Sequence, residues 1–76
     1  MTLFGRQGCH LCDAMLAALK PCLVAGKVTL QMVDVDGEPD LKARFDTEVP
    51  LLFEGELEIC RHQFNRAAFE AWLRVD

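Results

Sequence analysis

Two cysteines in this chain have the spacing to do chemistry together. Cys9 and Cys12 flank His10-Leu11, directly after Gly8 and at the start of a helical pattern. If a helix begins near Cys9, Cys12 lies about one turn further on, and the two side chains come within disulfide reach. A thiol at a helix N-terminus also meets unpaired N–H groups and the positive end of the helix dipole. Both favour the thiolate, which is the form that attacks disulfides. The spacing therefore suits reversible thiol–disulfide exchange.

Other readings compete for these residues. The pair could be a static disulfide or two structural thiols. Cys9, Cys12, Cys60 and His62 could supply four zinc ligands, or the cysteines an iron–sulfur cluster. The Cys-x-His half is poor spacing for such a site, and the reading adopted has no metal. Cys60 should end the last strand near the pair, where it could trap glutathione or resolve a mixed disulfide, with a partly buried bystander thiol as the favoured reading. Cys22 follows Pro21 at a helix end and reads as core filler. Arg6 and a protonated His10 would favour the thiolate at Cys9, whereas Asp13 would oppose it. Arg61 and Arg66 could hold a substrate carboxylate, with solvated surface arginines as the plainer reading. Asp34-Val35-Asp36-Gly37 is no calcium loop, because its first ligand position would fall on Met32.

Seventy-six residues, 51% of them apolar, make one domain (1–76) with a small core. The net charge is −4, with the acidic groups spread along the chain. A nucleic-acid surface needs clustered Lys and Arg, so that class is excluded. No run approaches the ~20 apolar residues of a membrane span. The first residues lack the pattern of a secretion signal, so the expected location is the cytoplasm. In that reducing compartment paired cysteines point to catalysis or metal more than to structural bridges. The expected assembly is a monomer.

The elements that must position the pair follow from periodicity. Thr2-Leu3-Phe4 is a short β-prone run broken by Gly5. Cys12, Met15, Leu16, Leu19 and Leu23 form one helical stripe, opposite Asp13, Ala17 and Lys20. Cys12 thus opens the buried face, and Cys9 sits before it at the helix mouth. That arrangement gives one exposed attacker and one sheltered resolver. Pro21 and Gly26 are expected to close the helix. Lys27–Val35 reads as a strand, with Val28, Leu30 and Met32 on one buried face. A short helix from about Pro39 pairs Leu41 with Phe45. Val49–Phe53 and Leu57–Cys60 form a hairpin around Gly55. Asn65 can cap a last helix with Phe64 and Phe69 at staple spacing and Phe69, Trp72 and Leu73 inside. The order β-α-β-α-β-β-α implies an α/β fold: a four-stranded mixed sheet, three helices, and a right-handed parallel crossover between the first two strands. With the cysteine pair on the first β–α connection, this is the thioredoxin-like plan.

Phe4-Gly5-Arg6-Gln7-Gly8-Cys9-His10-Leu11-Cys12, followed by Val49-Pro50, the hairpin and the last helix, resembles the glutaredoxins over nearly the whole chain. That resemblance implies Cys9 as nucleophile, Cys12 as resolving thiol and Pro50 as a cis-proline facing them. It also implies a substrate chain pairing with the backbone of Val49. Arg6, Val49, Pro50, Cys60 and Arg61 are the candidate substrate-binding residues. The implied substrates are protein disulfides or glutathione mixed disulfides. No cofactor is required, and glutathione is a candidate reductant or co-substrate. Two departures bear on it. Cys60-Arg61 stands where the family usually carries Gly-Gly, and Glu48 stands where a threonine is common. The alternative is a non-catalytic thioredoxin-fold module binding a partner, or a metal through Cys9 and Cys12.

Overall fold

The computed structural model describes residues 1–74, so the last two residues of the expected 1–76 domain lie outside the described residues. The elements are β1 (Thr2–Gly5), α1 (His10–Val24), β2 (Gln31–Asp34), a 3-10 turn (Val35–Gly37), α2 (Pro39–Phe45), β3 (Leu51–Glu54), β4 (Leu57–Arg61) and α3 (Arg66–Leu73). The sheet order is β2-β1-β3-β4. β1 and β2 run parallel, and the other pairings are antiparallel. This is the α/β arrangement expected from the sequence, with its mixed four-stranded sheet and three helices.

Strand alternation divides the apolar residues between two faces. Leu3, Leu52 and Cys60 pack with Met15 and Leu19 of α1, Phe69 of α3, and Val28. Phe4 and Phe53 pack with Leu51, Val35, Phe45 and Leu41 on the α2 side. Phe4 lies against Phe45 at 5.1 Å and edge-on to Phe53 at 5.6 Å between ring centroids. The β3–β4 register shifts between Leu52 and Phe53. That irregularity is how Ile59 and Cys60, adjacent in sequence, both pack on the α1–α3 cluster.

Local chemistry explains the helix boundaries. The Cys9 side chain caps α1, and Asn65 Oδ1 accepts the Ala68 N–H to cap α3. Phe64 and Phe69 lie 5.4 Å apart between ring centroids, the staple the sequence suggests. Pro39 occupies the first turn of α2, where its missing N–H costs nothing.

Two expectations are corrected. Pro21 does not close α1. The helix runs through it to Val24, Ala25 donates to the Pro21 carbonyl, and Gly26 turns the chain at φ 73°. Proline removes one helical hydrogen bond here, in a last turn whose Cys22 and Leu23 pack on the core. The second correction concerns β2, which spans only Gln31–Asp34 rather than Lys27–Val35. Val28 is buried and Leu30 partly so, but Met32 is 59% exposed. Its register partner is Leu3, so it has the predicted face. It lies on the outermost strand, however, at the margin of the sheet.

The two positions should respond differently to truncation. Leu19→Ala removes a fully buried side chain and should destabilise by about 2–5 kcal/mol. Met32→Ala should stay within about 0.5 kcal/mol, as surface substitutions usually do. Urea denaturation of both variants checks this.

Candidate redox site

Topology gathers the site at one end of the sheet. β1 and the parallel β2 finish there, at Gly5 and Asp34. The antiparallel β3 begins there at Leu51, and β4 finishes there at Arg61. The loop from Arg6 to Cys9 with the first turn of α1, the Val49-Pro50 segment and Arg61-His62 therefore share that end. The His62 N–H donates to the Pro50 carbonyl at 2.7 Å, tying the end of β4 to the start of β3.

Cys9 and Cys12 are joined by a disulfide, with their Cα atoms 5.2 Å apart. Cys9 is the N-cap of α1, in extended backbone, and its Sγ accepts the Cys12 N–H at 3.1 Å. An N-cap normally uses an oxygen for this purpose, and here a sulfur takes the place. Cys12 is 5% exposed and Cys9 half-buried. Gly8, at φ 74°, makes the left-handed turn that leads into the cap. A thiolate at Cys9 would keep the Cys12 N–H as donor and lie at the positive end of the helix dipole.

Val49-Pro50 is a cis peptide, as the resemblance implies. Pro50 is buried and Val49 half-buried. Among the described residues, the main chain of Val49 has no hydrogen-bond partner. Glu48, just before it, has two partners from across the sheet end. Its carboxylate meets His62 Nε2, and lies 3.6 Å from Arg61 Nη1. Arg61 also binds Glu58 through two nitrogens, which holds the Glu58 carboxyl below its ordinary range. His62 is left-handed at φ 69°, an uncommon region for a residue with a side chain, although histidine is among those enriched there. Its N–H and its ring are both engaged, and these contacts offset the local backbone cost.

Arg6 has a different setting from the one its spacing suggests. Its guanidinium donates to the Asp46 carboxylate at 2.7 Å, to the Asp46 carbonyl at 3.0 Å and to Asp36 at 2.8 Å. Two carboxylates thus compensate its charge, leaving no free cation for the thiolate. The arginine links the cysteine loop to the turn after β2 and to the segment that leads into Val49-Pro50. The hydrogen bond to Arg6 is the chief cause that holds the Asp46 carboxyl below its ordinary value.

Cys60 is buried, and its thiol is pushed up chiefly by that burial, against the opposing backbone N–H of Asn65. The structure seats it in the α1–α3 core rather than on an open ledge. Cys22 is half-buried and packs on the same cluster. Among the described residues no three His, Cys, Asp or Glu side chains converge as metal donors, so Cys9, Cys12, Cys60 and His62 are not assembled into a four-ligand set. Among those residues, too, no helix is long and apolar enough to cross a membrane. The sequence reading missed the Glu48–His62 contact and the carboxylate partners of Arg6. Local patterning carries no signal for either, although the unusual Glu48 marked the right spot.

The family model described as Glutaredoxin-like domain (DUF836) matches residues 1–74. Among solved structures, a structural-genomics target protein, XcR50, from X. campestris superposes with a TM-score of 0.76 at 29% identity, covering 95% of this chain and 92% of that one. Thioredoxin 1 from the thermophilic eubacterium Thermosipho africanus TCF52B superposes with a TM-score of 0.59 at 23% identity, covering 95% and 91%. At that identity the second likeness speaks to the fold. No curated protein matches the sequence.

Two measurements check this description. NMR titration should place the Asp46 carboxyl below the ordinary 3.8 in the parent protein and return it upward in Arg6→Met. The folded-state pKa is depressed, so the pair's stabilisation is present above the ordinary value and is lost as pH falls through the folded one. The stability gap between parent and variant should therefore close in acid. In the reduced native protein, Cys60 should be alkylated far more slowly than Cys9, and rapidly once unfolded, as peptide mass spectrometry would read.

Proposed function

The chain belongs to the glutaredoxin-like domain family, and from that membership we propose that it is a thiol–disulfide oxidoreductase working through Cys9 and Cys12. The observation that carries this reading is the pair itself. A half-exposed sulfur caps a helix and is bonded to a sheltered sulfur one turn on. A static structural bridge has no need of that asymmetry, whereas a nucleophile and its resolver require it.

In the cycle, Cys9 thiolate attacks one sulfur of a substrate disulfide. A Cys9–substrate mixed disulfide forms, and the other substrate sulfur leaves as thiolate and takes up a proton. Cys12, giving up its own proton, then attacks Cys9 Sγ. The Cys9–Cys12 disulfide forms and the second substrate thiol is released. The substrate gains two electrons and two protons, and an external thiol such as glutathione returns the pair to the dithiol. No resident cofactor enters these steps. The free main chain of Val49 supports β-type pairing with an extended substrate segment beside the cis-proline. Arg61 and Glu48 flank this ledge as specificity residues. Their charges are already paired with neighbours, which favours an extended polypeptide over a small tripeptide that presents two carboxylates. The protein acts as a monomer in the cytoplasm.

Cys9→Ser should abolish turnover, and Cys12→Ser should accumulate the mixed disulfide with Cys9. Rates on a glutathione mixed disulfide and on a protein disulfide, assayed side by side, should favour the second. Full activity in Cys9→Ser would overturn the reading.

A further inference from the structure

β1 enters the cysteine loop through Gly5, and the space left by its missing side chain has one particular neighbour. A Cβ at Gly5 would stand 3.1 Å from Cys12 Sγ and 3.4 Å from Cys12 Cβ. Gly5 lies in a strand and is not among the left-handed glycines, so its backbone suits any L-residue. The constraint on this position is space alone. Carbon and sulfur do not sit comfortably at that distance, and either the sulfur or the strand would have to give by a few tenths of an ångström.

We infer that Gly5 is a positioning residue for the resolving sulfur: the room it leaves lets Cys12 Sγ lie where it bonds Cys9 Sγ, and so sets how strongly the pair favours the disulfide. The inference rests on the oxidoreductase reading. In the disulfide, Cys12 Sγ is held covalently by Cys9, whose own position is fixed as the helix cap. The bonded sulfur therefore has little freedom to retreat from a new Cβ. In the dithiol, Cys12 regains its choice of side-chain rotamers. It also borders a cavity of about 290 Å³ lined by Leu3, Gln7, Asp13 and Met32, among others, which gives the freed sulfur room. A methyl group at position 5 consequently burdens the oxidised form more than the reduced one.

The equilibrium to measure is protein disulfide plus two glutathione thiols giving protein dithiol plus glutathione disulfide, with two electrons and two protons transferred. Parent and Gly5→Ala proteins are equilibrated in glutathione buffers of graded ratio, quenched with a maleimide, and their oxidised fractions read by mass. Gly5→Ala should shift the constant about tenfold toward the dithiol, equivalent to a reduction potential raised by ~30 mV. The thermal midpoint of the reduced form should change little. An unshifted constant, or a shift toward the disulfide, overturns the inference while leaving the oxidoreductase reading intact. A parent pair that never exchanges with glutathione or a protein disulfide sinks that reading, and this inference with it. If Gly5→Ala does not fold in either redox state, Gly5→Ala/Cys12→Ala decides. Recovery of folding once the opposing sulfur is gone supports the contact, and continued failure overturns it.

Discussion

The site depends on where α1 begins. A helix must start with several N–H groups that its own turns cannot satisfy. In this chain a cysteine sulfur supplies one of the missing acceptors. The atom that ends the helix thus also belongs to the more exposed cysteine of the disulfide pair. The buried stripe fixes the rotation. Met15 and Leu19 must face the sheet, and their spacing turns Cys12 inward on the same side. Cys9, one residue outside the helix, escapes that requirement. The difference in exposure between the two sulfurs thus follows from packing the helix and needs no separate device.

A chain of this size has little apolar surface with which to hold a second loop opposite the first. The structure holds it with polar ties instead. Arg6 reaches partners thirty and forty residues away, joining the cysteine loop to the stretch before the cis-proline. From the other side, Glu48, Arg61 and the backbone of His62 join β4 to that same stretch. Each ion pair on its own is exposed and contributes little to stability. Their effect is geometric, because they limit how far Val49-Pro50 can drift from Cys9. Removing Arg6 should therefore disturb alignment more than folding.

Much of this was legible in the sequence where the signal is local and periodic. The α1 stripe, the Gly55 turn, the Asn65 cap and the Phe64–Phe69 staple each depend on residues within a turn or two of one another. The reading failed where lateral position mattered. Alternation correctly gave Met32 the face of Leu3, but alternation cannot say how far across the sheet the covering helices extend. Pro21 misled for a related reason: the packing of Cys22 and Leu23 outweighed one lost backbone bond. The partners of Arg6 were invisible because nothing in the stretch from Phe4 to Cys12 announces carboxylates that the fold brings from far along the chain. The cis peptide was legible only by resemblance.

The two departures from the glutaredoxin pattern are parts of one arrangement. Cys60 takes up core space on the α1–α3 face, where the family's first glycine would leave none filled. Arg61 and His62 then carry side chains over the sheet end, and Glu48 stands opposite to receive them. Arg61 is shared between Glu58 and Glu48, so its charge is compensated from its own strand as well as from across the sheet end. Among the described residues, these mutually paired side chains form a rim that borders a Val49 main chain with no hydrogen-bond partner. The side chains of that rim are already engaged with one another. The helix cap and its disulfide partner are kept, while the place of the glycine pair is taken by a rim of mutually engaged side chains beside Val49.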